Sequence, residues 1–378
     1  MNINFSEVPS PCYVLDESLL IKNLELLDYV QKKADCKIIC ALKGFSFFNV
    51  FPLVGKYLSG ASASSLNEVK LSFEEMGKEI HTYCPAYIDN DFEKILEYSD
   101  HITFNSLNQF EKHKDSIKKS KKAVSIGLRI NPEYSEIETD LYNPAVKGSR
   151  LGIIANMIKE LPKEVKGLHF HVLCENDSFV LERTLKHVEE KFGDLLHKVK
   201  WLNMGGGHHI TRKDYDVEHL ISLIRKIKEK YDVEVILEPG EAVGWQTGYL
   251  VTTIIDIVEN NGIKVALIDS SFANHMPDCL EMPYKPSVIG SVEKTKGKHM
   301  YSIGGITCLA GDYIEKYYFE KELNIGDKII FDDMIHYTMV KTTTFNGINL
   351  PAIGVWTIDN KFKLLKKFGF EDYKNRLS

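Results

Sequence analysis

The stretch "KIICALKGFS", residues 37–46, carries five uncharged residues in a row, Ile38 to Leu42, and then Lys43 and Gly44. A short apolar run of this kind reads as a strand buried on both faces, as in a parallel sheet. Lysine is almost never buried without a partner. Two readings follow. Either the strand surfaces at Lys43, or Lys43 points into a cavity where its amine can condense with a carbonyl compound.

The same texture repeats along the chain. "IICALK" (38–43), "GASASS" (60–65), "IHTYCPA" (80–86), "HITFNS" (101–106), "SIGLRIN" (125–131), "GLHFHV" (167–172), "WLNMGGG" (201–207) and "EVILEPG" (234–240) are eight strand candidates. Amphipathic segments lie between them. "LNEVKLSFEEMG" and "DVEHLISLIRKIKEKY" are the clearest helices, with apolar residues returning every three or four positions. Eight such units predict an α/β fold, a (β/α)8 TIM-like barrel with its chemistry at the strand C-termini. The long polar loop 132–150 interrupts the fifth unit and is the candidate to close the site. After about residue 246 the chain turns β-rich, with "GYLVTTIIDIVENNGIKVALIDSS" and "DKIIFDD" among its runs. The expected division is therefore a barrel over 17–246 and a C-terminal β-domain over 247–378, which the N-terminal strand segment 1–16 joins.

The strand ends share a feature that a bland barrel has no reason to show. Lys43, Arg129, His171, the glycines 205–207 and Glu238 all fall there. Gly205, Gly206 and Gly207 let backbone approach a ligand and present open N–H groups, as an anion needs. They follow the seventh strand, where barrels frequently hold phosphate. Glu238 is half-buried after "VEVIL", where a carboxylate needs a partner such as a pyridinium nitrogen. His171 is placed to lie flat against a ring. A lysine, a phosphate-sized nest and a carboxylate on one rim fit pyridoxal 5'-phosphate. The "HFH" and "HH" pairs also admit packing roles, and no HExxH or Cys/His spacing supplies a metal ligand set.

Composition limits the alternatives. The chain has 378 residues, 53 acids against 47 bases, and a net charge of −6, which disfavours nucleic acid and suits a cationic ligand. No apolar run approaches the roughly 18 residues of a membrane span, and the N-terminus lacks a signal-peptide pattern. The 7 cysteines show no CxxC spacing and read as reduced thiols of a cytoplasmic protein.

With "ALKG", "HFHV", "NMGGG", "LEPG", "TCLAGD" and "YTMVKTTTFNG" in this order, the sequence resembles the fold-type III (group IV) decarboxylases, the ornithine and diaminopimelate decarboxylase family, over nearly its whole length. The resemblance implies an alanine-racemase-like barrel plus β-domain, working as a homodimer with shared sites. It makes Lys43 the Schiff-base lysine, His171 the stacked histidine and Gly205–Gly207 the phosphate glycines. Glu238 becomes the acid at the pyridine nitrogen and Tyr337 a phosphate contact. Cys308 is the proton donor from the partner subunit, with Asp312 beside it. Some positions depart from the family pattern. Diaminopimelate decarboxylases carry arginine directly after "EPG" and before a proline of the β-domain. Here Glu241 takes the first place, and Met276 precedes Pro277 with Asp278 after it. Leu309 replaces an acid after the cysteine, and Ser62 stands where relatives often have aspartate. Acids at Glu241 and Asp278 would repel an anionic tail and bind ammonium groups. "EPGEAVGW" and "SSFANHMPDCLEMPYKP" look like the branch acting on the carboxylated triamines carboxynorspermidine and carboxyspermidine. Glu241, Asp278 and Asp312 would be its substrate-binding acids, with diaminopimelate or another basic amino acid as the alternative substrate. A racemase, or a non-catalytic homologue acting as a binding protein, is a more distant reading; the second predicts loss of the lysine, glycines or cysteine, all of which are present.

Overall fold

The computed structural model describes residues 3–296 and 298–378, so the first two residues of the expected N-terminal strand segment lie outside it. The chain divides into two compact units, one of residues 23–243 and one of residues 1–22 with 244–378.

The N-terminal strand β1 (Cys12–Asp16) belongs to the second of these units. In the first unit, among the described residues, eight parallel strands close into a barrel. They are β2 (Lys37–Ala41), β3 (Gly60–Ala63), β4 (Glu79–Tyr83), β5 (His101–Phe104), β6 (Ser125–Arg129), β7 (Val165–His169), β8 (Trp201–Asn203) and β9 (Glu234–Leu237). Each of the eight strand candidates contains or overlaps one of them. The strands are shorter than the apolar runs, so Lys43, His171 and Glu238 stand just beyond strand ends, in the loops of the barrel mouth. Helix starts are fixed by side-chain caps. Ser65, Ser106, Asp177 and Asp216 each accept a hydrogen bond from the N–H three residues on, at Glu68, Gln109, Val180 and His219. The helix Val217–Tyr231 buries Leu220, Ile224 and Ile227 among others and turns its charges outward.

The barrel interior is filled by side chains of unequal size. A Cβ at Gly127 or Gly167 would lie 2.2 or 1.9 Å from the Trp201 ring, so these two glycines make room for the indole. Its Nε1 donates to Ser125 Oγ at 2.8 Å.

In the other unit β1 pairs antiparallel with β10 (Gly248–Asn260) and parallel with β15 (Ala352–Trp356). The sheet runs β13 (Tyr313–Phe319), β12 (His299–Gly304), β11 (Ile263–Ile268), β10, β1, β15, β16 (Phe362–Lys366), and β14 (Lys328–Asp332) also pairs with β10. Strand β10 serves two neighbourhoods because a bulge between Ile254 and Asp256 re-aims its second half. Cys12, Val14, Tyr249, Val251 and Trp356 form part of its core. No helix among the described residues is long and apolar enough to cross a membrane.

Candidate active site

The barrel mouth is assembled by loops that touch. After β2 the chain turns on the Ala41 carbonyl, which accepts from Gly44 and Phe45 N–H at 3.0 and 3.1 Å. A Cβ at Gly44 would lie 3.1 Å from the backbone of Gly240 and Glu241. The lysine loop is therefore pressed against the loop carrying "EPGE".

Lys43 Nζ lies 3.0 Å from His171 Nε2. The amine is accessible at the mouth, yet its surroundings lower its pKa. Burial among the barrel walls comes first and the Arg129 guanidinium second, against an opposing pull from Glu238. His171 is held well below its ordinary pKa by burial, Lys43 and Arg129. It is thus a neutral imidazole, and its Nδ1 lies 3.1 Å from both the N and the O of Gly206. Arg129 is 3% exposed, donates to the His171 carbonyl at 3.0 Å and covers the Tyr83 ring at 4.7 Å.

The three glycines are packed so closely that side chains are excluded. A Cβ at Gly205 would meet the Phe170 carbonyl oxygen at 2.4 Å, at Gly206 that of Glu238 at 2.5 Å, and at Gly207 that of Leu173 at 2.0 Å. Gly205 and Gly207 have φ of 69° and 84°, a conformation few other residues adopt. Glu238 Oε1 accepts from Asn203 Nδ2 at 2.7 Å, and Oε2 lies 3.8 Å from His169 Nε2. An amine of lowered pKa, a neutral imidazole, a bare backbone nest and a carboxylate on one rim match the needs of pyridoxal phosphate. Lys43 would hold its aldehyde, the glycines its phosphate and Glu238 its ring nitrogen. Glu241 is half-buried at the start of the short helix Glu241–Gly244, and its charge contributes to raising the Cys174 thiol to about 11, after burial and Glu175.

Three residues of this rim escaped the sequence reading: Asn203, His169 and Cys174. Only Asn203 gave a usable signal, as a polar residue ending an apolar strand immediately before the glycine run. The loop 132–150 makes contacts of its own. Glu136 takes Arg183 at 2.6 and 2.8 Å, Glu133 takes Lys191 at 2.7 Å, and Ser135 Oγ donates to the Val172 carbonyl at 2.7 Å. Its first half is thereby tied to the helix Ser178–Leu196 and to the segment after β7.

The β-rich unit carries the other named residues. Cys308 is exposed, and its N–H donates to Asn346 Oδ1 at 2.8 Å. Asp312 is 4% exposed and turned into its own loop: Oδ1 accepts from Ala273 N–H at 3.0 Å, and Oδ2 from the N–H and hydroxyl of Thr307 at 3.1 and 2.6 Å. Asp278 is likewise buried. Its Oδ2 accepts from Tyr284 and Thr338 hydroxyls at 2.6 and 2.8 Å, while Oδ1 has no hydrogen-bond partner among the described residues. Tyr337 opens the short helix Tyr337–Val340.

A closed β/α barrel with this rim, followed by a β-rich unit, defines an alanine-racemase-like pyridoxal-phosphate enzyme. Residues 12–335 match the family model "Pyridoxal-dependent decarboxylase, C-terminal sheet domain", and the chain belongs to that family, whose cofactor is pyridoxal 5'-phosphate. It is 48% identical over 378 residues to the carboxyaminopropylagmatine decarboxylase of Synechocystis, covering 100% of this chain and 97% of that one. It is 45% identical over 384 residues to the carboxynorspermidine/carboxyspermidine decarboxylase of Campylobacter jejuni, covering 98% and 99%. The crystal structure of carboxynorspermidine decarboxylase complexed with norspermidine from Campylobacter jejuni superposes with a TM-score of 0.91 at 44% identity, covering 98% of this chain and 100% of that one.

Proposed function

We propose that this enzyme decarboxylates a carboxylated triamine, carboxynorspermidine or carboxyspermidine, to norspermidine or spermidine in polyamine biosynthesis. The observation that carries the reading is Glu241, an acid in the barrel mouth on the loop packed against Gly44, beside the lysine. A cationic tail gains a charge-assisted hydrogen bond there, and an anionic one is repelled. The similarity to the Campylobacter enzyme supports the same substrate class.

Pyridoxal phosphate, when bound, supplies the electron sink for loss of the carboxylate. Lys43 would hold the cofactor aldehyde, its amine pKa lowered by burial and Arg129. His171 orients the ring as a neutral imidazole, and Glu238 keeps a proton on the ring nitrogen. Cys308 Sγ holds the proton delivered to the carbon that lost carbon dioxide. Tyr337 would contact the phosphate. Glu241 binds a tail ammonium, and Asp278, whose buried Oδ1 has no hydrogen-bond partner among the described residues, is the second substrate acid. Asp312 has no spare oxygen facing outward, which supports a role in holding Thr307 and hence Cys308.

The working unit is a cytoplasmic homodimer whose sites are shared, with the barrel of residues 17–246 binding the cofactor and the β-rich domain supplying Cys308 across the interface. Ile306, Leu309 and Tyr313 are 37%, 46% and 42% exposed around Cys308, apolar surface that supports cover by a partner. Seven free thiols support a reducing compartment.

The Synechocystis relative favours a second reading, carboxyaminopropylagmatine, whose guanidinium end would pair with Glu241 through two parallel hydrogen bonds. Carbon dioxide release from a panel separates the readings: carboxynorspermidine, carboxyspermidine, carboxyaminopropylagmatine, diaminopimelate and ornithine. We expect release from the carboxylated triamines. Release chiefly from carboxyaminopropylagmatine would establish the second reading, and release chiefly from diaminopimelate would refute the role of Glu241.

A further inference from the structure

We propose that Asn203 is a positioning residue that joins the phosphate-binding glycines and the acid at the ring nitrogen into one hydrogen-bonded unit. Asn203 closes the three-residue strand β8 and is 2% exposed. Gly205 N–H donates to its Oδ1 at 2.8 Å. A backbone N–H can only donate, so this bond fixes which end of the amide is oxygen. The Nδ2 end must then face Glu238, and it donates to Oε1 at 2.7 Å. The ring is closed by Glu238 N–H, which donates to the Gly205 carbonyl at 2.8 Å.

Two consequences follow from the direction of these bonds. An amide nitrogen can only donate, so Glu238 Oε1 must accept, and the amide fixes the orientation of the carboxyl group that would face the ring nitrogen. The other oxygen, Oε2, lies 3.8 Å from His169, which burial keeps neutral, so no cation competes with the ring for it from that side. Second, any displacement of Gly205 by a bound phosphate moves Glu238 through a planar, rigid amide. The phosphate end and the nitrogen end of the cofactor are thus read by one element of the protein. This rests on the cofactor assignment above and adds a residue and a coupling to it.

The test uses apoenzyme titrated with pyridoxal phosphate from pH 6 to pH 9, followed by the visible absorbance of the bound cofactor and the phosphorus resonance of its phosphate. Asn203→Ala removes both bonds and should weaken cofactor binding about 10- to 100-fold, with a shifted phosphorus resonance. Asn203→Asp is the sharper variant, because it keeps the shape and replaces the donor by an acceptor. Opposite Glu238 the pair must share one proton, which imitates the amide. Its binding should be near wild type at pH 6 and fall at least about 10-fold relative to wild type by pH 9, as that proton is lost. An Asn203→Asp enzyme that tracks wild type at every pH overturns the coupling. So does one weakened equally at every pH, since that is the result of a merely structural role. Should wild type itself show no saturable cofactor binding, the cofactor assignment fails and the coupling with it.

Discussion

Strand β2 is bracketed by two lysines in opposite electrostatic settings. Lys37 begins the strand at the barrel floor. Its Nζ lies 2.9 and 3.0 Å from the two oxygens of Glu79 and 3.2 Å from Glu234. Burial pulls its pKa down, but the two acids hold it above the ordinary value. Lys43 follows the strand at the mouth, faces a neutral histidine, and is pushed below the ordinary value by burial and Arg129. The floor compensates its charges within the chain, and the mouth lowers the pKa of its amine. The floor also holds His81 and His101, stacked with ring centres 4.0 Å apart, and together with Glu79 they place three residues of metal-ligating type within 4.8 Å of one another. Lys37 already occupies both oxygens of Glu79, so we read the cluster as a structural ion pair. A perturbed pKa alone would not separate the two ends of the barrel. What separates them is whether the charge already has its partner.

The largest effect that tests this contrast is on turnover. Lys43→Ala should lose more than about 10³-fold in kcat, because no other amine on the rim can take its place, while Lys37→Ala should keep most activity. Comparable losses would erase the distinction between the ends. Mixing Lys43→Ala with Cys308→Ala chains extends the test to the proposed sharing of sites between subunits. Random pairing makes half the dimers hybrid, each with one intact site of two, so about a quarter of wild-type activity should return. No recovery after demonstrated subunit exchange would place both residues in one chain's site.

A smaller and more selective effect is expected at Glu241. Glu241→Arg should lower kcat/KM for the carboxylated triamine about 10²-fold, the scale of a like-charge clash of a few kcal/mol. Cofactor affinity should stay within about threefold, since Glu241 is placed on the substrate tail. Equal loss of cofactor and substrate binding would make Glu241 a structural part of the mouth.

The sequence carried the barrel because each strand is an apolar run and each helix a period of three to four, both local patterns. Lys43, His171, the glycines and Glu238 were legible for the same reason: each ends a run, and a strand end in a barrel is a place as well as a pattern. Asn203 was harder, because its meaning lies in bonds to Gly205 and to Glu238, the second 35 positions away. The floor was not legible at all. His81 and His101 are neighbours only through the register of β4 against β5, and Lys37 reaches Glu79 only because the barrel closes. Asp312 carries a further element that the sequence did not show: Thr307 and Ala273 donate to its oxygens, contacts that only packing reveals.

The smallest effect belongs to the floor, and it concerns stability with pH. Glu79 is held at about 2, first by His81 and also by Lys37, against burial, which raises it. A carboxylate depressed in the folded state stabilises fully above its unfolded value, about 4.3, and loses that contribution as pH falls through the folded value. Lys37, raised in the folded state, contributes fully below about 10.4 and loses its contribution as pH climbs past its folded value. The pair should therefore stabilise the barrel evenly between about pH 5 and pH 10. Glu79 is partly exposed, so solvent screening reduces the effect to about 1–2 kcal/mol, or roughly 2–6 °C in Tm. Glu79→Gln should melt below wild type by that amount at pH 7, and the gap should close as pH falls from about 5 to about 2. A gap that ignores pH would mean that Glu79 acts through packing or neutral hydrogen bonds. A gap that closes while cofactor binding at pH 7 stays intact would make the floor the place where this barrel keeps its charges paired.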